Sequence, residues 1–453
     1  MYAENKMKAL ETGGSNLKLK FSKFILPTLF SMCFFSIYTM IDGAFVGRGA
    51  GNMALAGVNL SMPFISFVFA LSIMLSIGSS NIATFCLGRK EYKKASLAFS
   101  RGIEAILLIS ILIVALGLIN LNHLIRLLGA SYETAPYVKD YLKIIILFIP
   151  FFMISYTLEV LLKADGNPHL SLFFVTLSAG TNIVLDYIFV IRYNFGIEGA
   201  AVATGISQVL AVAGYCTHFF SKRANLKFYP VKLKLHGILS AAKLGFPDFL
   251  SELSIGFVTF VFNIVTIKYF GSYEIASLAV IMYTYNLVVN AMTAINQGVQ
   301  PLVSFYYGQR NHVNIRKLYK YSIFSAITLG IIFVGFVYAF PNLITSMYIS
   351  PDSGYLYGFA IDSLKIFCFT FLILGINIVS AGFLNATRNT GKSLIISISR
   401  GYVLISLLAF TLPMLFSRSV IWQSAGLCEG ITLVISLVLI KKYLPYNVSR
   451  YVN

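Results

Sequence analysis

Twelve apolar runs, each about as long as a bilayer is thick, follow one another along the chain with only short polar breaks between them. They cover roughly 21–47, 54–86, 98–119, 137–161, 168–192, 197–221, 240–270, 276–306, 318–340, 357–385, 391–417 and 422–443. A helix needs about 20 mostly apolar residues to cross the hydrocarbon core. Hydrocarbon offers the backbone no outside hydrogen-bond partner, so spanning runs of this length are predicted to be helices. The expected fold class is an all-α polytopic membrane protein with twelve transmembrane helices. Several runs exceed 25 residues, which predicts tilt, kinks or ends projecting into water.

Charge agrees with this reading. Only 11% of the 453 residues are charged, against about a quarter in an ordinary soluble domain. That argues against a soluble enzyme, a disordered chain and a disulfide scaffold. The cysteines (Cys33, Cys86, Cys216, Cys368, Cys428) are scattered through apolar runs without a CxxC pair, and the five histidines show no HExxH spacing. No zinc site is suggested, and no cofactor or structural metal is expected. The polar, lysine-containing start and the long first run do not read as a cleaved leader.

The formal net charge is +18. Nucleic acid is not the expected partner; membrane lipid is, because basic residues collect in cytoplasmic loops. With a cytoplasmic N-terminus, 26 of the 35 Lys and Arg residues fall on that side, eight on the other, and Arg400 within a span. An even number of spans then puts both termini in the cytoplasm of a cell-membrane protein.

The longest basic stretch, 222–237, lies near the middle of the chain, which invites a search for a repeat. At an offset of 220, Pro27, Gly78, Phe85 and Gly88 match Pro247, Gly298, Phe305 and Gly308. At an offset of 222, Ala164, Asn167, Ser171 and Leu172 match Ala386, Asn389, Ser393 and Leu394. The expected organisation is a tail (1–20), an N-lobe (21–221), a basic linker (222–237), a C-lobe (238–443) and a second tail (444–453). Six helices per repeat would relate the lobes by an axis along the membrane normal, around a central cavity. Such architecture suits alternating access.

Ionisable groups within spans cost about 2.5–3.5 kcal/mol by insertion scales, so each calls for a reason. Asp42 lies in the first run. Asn182 and Asp186 are four apart in the fifth, and Thr204 and Gln208 four apart in the sixth, so each pair shares a helix face. At about 1.5 Å per residue, Asp42 stands roughly 31 Å and Asp186 roughly 27 Å from the inner ends of their helices, with Thr204 roughly 10 Å from its outer end. All three fall in the outer half of the bilayer. Two carboxylates in low dielectric do not both ionise cheaply, so this group is a candidate proton site, or a monovalent-cation site using the Asn and Thr oxygens. The bland alternative is a set of satisfied polar groups near helix ends. Pro27 is a candidate hinge in the first helix.

Glu159 lies near the inner end of the fourth run, four residues before Lys163. The pair reads equally as an interfacial ion pair or as an anionic contact for a cationic substrate. Glu252, five residues past Pro247, has Arg400, Asn263, Asn286 and Asn290 as candidate partners, and a buried Glu–Arg pair is the simplest reading. Glu429 in the last run calls for the same caution. Tyr38, with Met282, Tyr283, Tyr285 and Met292, could line a soft apolar cavity, although most such residues pack against lipid or other helices.

Several segments together resemble a known family. FVGRGAGNMALAG after the first run, LLKADGNP (161–168), TNIVLDYIFV (181–190), EGAAVATGISQ (198–208) and GFLNATRNTG (382–391) resemble the multidrug and toxic compound extrusion (MATE) transporters, in their DinF-like and MepA-like prokaryotic branch. The likeness runs over nearly the whole chain. It implies export of mostly cationic, amphipathic compounds by a monomer, driven by inward movement of H+ or Na+. It also implies a coupling-cation site at Asp42, Asn182, Asp186 and Thr204, and substrate contacts at Glu159 and Tyr38. Gln208 and Glu252 join the substrate-contact candidates from their positions alone. In one place the chain departs from the family. Sodium-driven members of another bacterial branch carry a Glu eight residues past the seventh-helix proline, where this chain has Ile255, which argues against a C-lobe sodium site of that kind. The other readings are a lipid-linked saccharide flippase of the same superfamily and a membrane-embedded enzyme. The first calls for a basic cavity, and Arg400 is nearly the sole intramembrane base. The second calls for a catalytic constellation that the sequence does not show.

Overall fold

The computed structural model describes residues 17–230, 235–271 and 274–444. The expected tails therefore lie outside the described residues at 1–16 and 445–453, as does 231–234 of the basic linker. Twelve helices are long and apolar enough to cross a membrane. They are α1 Leu17–Gly49, α2 Asn52–Gly88, α3 Tyr92–Ile119, α4 Ala135–Ala164, α5 Pro168–Arg192, α6 Gly196–Phe219, α7 Leu235–Tyr269, α8 Ile275–Gly308, α9 His312–Ala339, α10 Tyr355–Ala386, α11 Thr390–Leu415 and α12 Ile421–Tyr443. No strand occurs among the described residues. The predicted fold class, an all-α chain of twelve spans, is the one observed.

The largest boundary differences are at α3 and α9, each of which starts six residues before its apolar run. The helical hydrogen-bond ladder continues into polar sequence there, with Lys93 and Lys94 left exposed. Along α3, Leu108, Ile111, Leu112 and Ile119 are also exposed. In water such a stripe would be a liability, but on a spanning helix it is the lipid-facing surface.

The chain packs as two compact units, Met1–Phe246 and Pro247–Asn453. The first unit thus keeps the opening turns of α7. A Cβ added to Gly78 of α2 would collide with the Ala241 carbonyl, and one added to Gly245 with the Met74 carbonyl. Glycine at these two places is what lets α2 and α7 touch backbone to backbone. Within the first unit α2 packs on α4, α4 on α6, and α1 on α5. Within the second, α8 and α9 pack on α10, and α10 on α12.

The repeat reappears in the backbone. After α2, the N–H groups of Arg89, Lys90 and Glu91 bond to the carbonyls of Phe85, Leu87 and Cys86. After α8, those of Gln309, Arg310 and Asn311 bond to Phe305, Tyr307 and Tyr306, the same pattern 220 residues later. Lys90 and Arg310 hold the left-handed conformation at φ 61° and 57°. The turns after α4 and α10 repeat likewise at an offset of 222, with Gly166 and Arg388 left-handed at φ 92° and 63°. Such helix-ending turns satisfy the last carbonyls.

One acid gives the first unit's α4–α5 turn a further task. Asp165 accepts the backbone N–H groups of Asn225 and Leu226 at 2.9 and 2.8 Å, and its other oxygen contacts His218 Nε2 at 2.8 Å. Ser96 and Ser100 of α3 accept the N–H groups of Lys227 and Tyr229. The chain after α6 is thereby fastened across the basic end of the first unit. Burial pushes the Asp165 carboxyl above the usual range, while His218 and the two backbone donors draw it back down. Asp165→Ala orphans these donors and is expected to cost about 2–4 kcal/mol. The checks are a lower melting temperature in detergent and faster tryptic cutting at Lys222, Arg223 and Lys227.

Candidate functional site

The polar residues of α1, α5 and α6 meet inside the first unit. Asp42 lies seven residues before the end of α1. Asp186 is the last α-helical residue of α5 before a π-type turn, Tyr187–Arg192. Gly49 packs its bare backbone on Val190 and Ile191 of that turn, which draws the outer end of α1 against α5. Val46, Ala54, Val58, Tyr141, Ile145, Val190, Ile197, Ala200 and Ala201 close a dry core around this end.

The carboxyl groups of Asp42 and Asp186 lie close to one another. Two carboxylates this close together in low dielectric do not both ionise cheaply. Asn182, one turn before Asp186, donates its amide N–H to Thr204 Oγ1 at 3.3 Å. That leaves Asn182 Oδ1 pointing elsewhere. Among the described residues no protein N–H or O–H is donated to Asn182 Oδ1, to Asp42 Oδ1 or to either oxygen of Asp186. Asp186 is 0% exposed and Asn182 1%. Buried oxygens without donors are unusual and costly. Four of them in one place suit a proton or a small monovalent cation, both of which need acceptors only.

The other candidates fall at separate places. Gln208, one turn past Thr204, makes no hydrogen bond among the described residues. Tyr38 is buried edge-on against Phe35 at 5.2 Å. Phe35 stacks on Phe69, and Phe69 meets Tyr156 at 4.9 Å. This aromatic row links α1, α2 and α4, and Glu159 stands one turn beyond Tyr156. Glu159 is tied to Lys163, Nζ to Oε1 at 2.7 Å, with the lysine 3% exposed. Its charge is thus balanced within its own helix. Pro27 is buried inside an unbroken α1. Next to it, Thr28 Oγ1 donates back to the Phe24 carbonyl at 2.8 Å, an arrangement that favours bending.

In the second unit the expected Glu252–Arg400 pairing is not formed. Arg400 sits on a π-type turn of α11 and makes a two-pronged contact with Glu429 of α12, at 3.0 and 2.8 Å. Asn377 of α10 donates to the other Glu429 oxygen at 2.7 Å, and Ser436 to Asn377 Oδ1 at 2.9 Å. Four buried side chains satisfy one another and leave nothing for Glu252, which makes no ion pair among the described residues. The rotation of α11 at its wide turn decides which acid Arg400 meets.

Sequence reasoning passed over two acids. Asp248, immediately after Pro247, accepts from Gln300 Nε2 at 3.2 Å and Asn385 Nδ2 at 2.6 Å. Its signal was an acid in an apolar run beside a proline. Asp165 was visible only as part of LLKADGNP, because its partners lie more than fifty residues away.

The Glu159–Lys163 pair yields a quantitative test. Lys163→Met strands a mostly buried carboxylate and is expected to destabilise by about 3–5 kcal/mol, whereas Lys163→Met with Glu159→Leu recovers most of that loss. Chemical or thermal unfolding of the single and double variants measures the coupling.

Comparison with known proteins bears on the fold and the family. The MatE family profile matches residues 27–188 and 247–411, so each match opens on one of the two equivalent prolines. The multidrug export protein MepA of Staphylococcus haemolyticus (strain JCSC1435) is 27% identical over 407 residues, 88% of each chain. That of Staphylococcus aureus (strain MRSA252) is 25% identical over 440 residues, 95% of each chain. Two solved structures share the fold with a TM-score of 0.90 and cover 97% of this chain and 98% of their own. They are a MATE protein in complex with MaL6, at 20% identity, and a MOP superfamily transporter from Pyrococcus furiosus Vc1, at 21%. A profile matching well over half of the chain, in two halves that begin at the repeat's own prolines, places this protein in the MatE (MATE) family of membrane transporters, which are not enzymes.

Proposed function

We propose that the chain is a multidrug efflux antiporter of the cell membrane. It exports cationic, amphipathic organic compounds in exchange for H+, with Na+ as the other candidate ion, and it works as a monomer with both termini in the cytoplasm. The observation that carries this reading is the Asp42–Asp186 contact beside Asn182 and Thr204, with its four donor-less buried oxygens. A transporter that uses an ion gradient needs a site whose charge changes inside the membrane. The multidrug export name of the MepA relatives and the basic bias of alternate loops support the direction and the orientation.

In mechanism, a proton entering from outside neutralises the pair and removes the repulsion between α1 and α5. That favours closer packing of α1, with Pro27 and Thr28 as the place where the helix yields. Closure shrinks the aromatic row of Phe35, Tyr38, Phe69 and Tyr156 and disfavours a bound organic cation. Release of the proton on the inner side restores the repulsion and the open packing. A bound ion can drive this only by its different affinity for the two packings.

The test uses everted membrane vesicles with a fluorescent lipophilic cation as substrate. A pH gradient alone, and separately a sodium gradient alone, is imposed. One of the two is expected to drive uptake of the dye. Asp186→Asn is expected to reach wild-type protein levels and melting temperature and to abolish gradient-driven uptake. Uptake that survives this change removes Asp186 from coupling, and uptake driven by neither gradient overturns antiport.

A further inference from the structure

We propose that the corner where α11 starts and α12 ends holds one anionic phospholipid, its phosphate gripped by Lys392, Lys442 and the Tyr443 hydroxyl and its acyl chains lying on the exposed apolar faces of the two helices. This is a site for a single lipid molecule, beyond the general attraction of basic loops for an anionic leaflet. It does not depend on the antiport reading.

The two helix ends meet at Tyr443. Lys392 Nζ comes across from α11 to 5.0 Å from the centre of the Tyr443 ring, and Lys442 Nζ of α12 lies 5.4 Å from it. Both ammonium groups also stand close to the tyrosine hydroxyl. A ring face is worth about 0.5–1 kcal/mol to an exposed cation, which does not cancel two full charges. Lysines at helix ends ordinarily extend into water. Two of them gathered on one ring, within about a Debye length of one another (roughly 10 Å at 0.1 M salt), repel.

No acid at this corner neutralises them. Residues 386–398 and 430–444 carry Arg388, Lys392, Lys441 and Lys442 and no Asp or Glu, and 445–453 contain none either. Among the described residues, neither Lys392, Lys441 nor Lys442 forms an ion pair. Glu429, more than three turns back along α12, is bound to Arg400. The corresponding corner of the first unit, where α5 starts and α6 ends, is covered by its own chain. There Phe228 stacks on Phe220 at 5.0 Å, and Asp165 accepts the Leu226 N–H and contacts His218. The first unit thus supplies its own anion at this corner, and the second must take one from outside.

The surface below the lysines says which kind of anion. On α12, Val434, Leu437 and Val438 are exposed. They stand seven, four and three residues before Lys441, and Val438 four before Lys442, so they continue the lysines' face of the helix. On α11, Ile395 is three residues after Lys392 and Ile398 three further, and both are exposed. A cationic head above two apolar stripes matches an amphiphile with an anionic head and two chains, whereas free phosphate would use the head alone. Basic pockets between spanning helices suit anionic headgroups, and a tyrosine ring is at home at headgroup depth.

The experiment uses the purified, delipidated full-length protein in detergent. Native mass spectrometry counts bound dioleoyl-phosphatidylglycerol as it is titrated, with dioleoyl-phosphatidylcholine titrated separately. Wild-type protein is expected to bind one phosphatidylglycerol more tightly than any further one, and more tightly than phosphatidylcholine. Lys392→Gln with Lys442→Gln is expected to weaken that first binding about tenfold or more. Lys93→Gln with Lys94→Gln, which removes two exposed bases of the first unit, is expected to leave it unchanged. A diazirine-bearing phosphatidylglycerol is expected to label 391–398 or 434–444 of wild-type protein, a readout that needs no variant to fold. Equal weakening in both double variants, labelling confined to other segments, or phosphatidylcholine bound as tightly overturns the site. Displacement of the lipid by inorganic phosphate at equal concentration reveals a plain anion site and overturns the lipid as its occupant.

Discussion

Hydrocarbon donates and accepts no hydrogen bonds, and every feature of this molecule is an answer to that constraint. The backbone answers by closing its own bonds in twelve long helices. Polar side chains have no such automatic partner. Serines and threonines solve the problem locally by bonding back to a carbonyl one turn earlier, as Thr28, Ser61, Thr84 and Thr387 do. Charged side chains must find partners, within one helix as Glu159 and Lys163 do or across helices. Arg400, Glu429, Asn377 and Ser436 form a closed set in which each group satisfies the next. Asp42, Asp186 and Asn182 form an open one, with buried oxygens that accept no hydrogen bond from the described residues. A closed set resists motion, whereas an open set changes when its ligand arrives.

The two halves show how far a duplicated framework can diverge while its scaffold stays put. Their helix-ending turns keep the same hydrogen bonds and the same left-handed residue, because those turns are set by backbone geometry that almost any side chain tolerates once the glycine-like conformation is paid for. The side chains placed on that scaffold differ. Asp165 ties down the chain after α6, while its counterpart Thr387 bonds only within its own turn. Lys163 is a buried cation and its counterpart Asn385 a neutral donor to an acid. Neither unit repeats the other's electrostatics on its equivalent helices.

Much of the candidate site was legible in the chain before any fold was known. Asn182 and Asp186 are four apart in an apolar run, so the helical period alone puts them on one face. Counting residues from the helix ends put Asp42, Asp186 and Thr204 at a common depth, and the structure joins Asp42 to Asp186 and Asn182 to Thr204. The Glu159–Lys163 ion pair was legible for the same reason. Pairings across helices were not. Arg400 had two acids within its vertical range, and which one it meets depends on how α11 is turned about its axis. Asp248 was passed over and Glu252 singled out, although both are single acids near the same proline. Only the positions of α8 and α10 show that one is embraced by amides and the other is not.

Sequence by itself determined the number of spans, their order and the repeat, because these follow from one-dimensional periods of apolarity and a fixed rise per residue. Tertiary structure decided which polar groups are closed upon one another and which are left open. That choice is made by the rotation and neighbours of each helix, set by close packing at places such as Gly49 on Val190, Gly78 on Ala241 and Gly382 on Asn296. A missing side chain permits a contact that no hydrophobic pattern records.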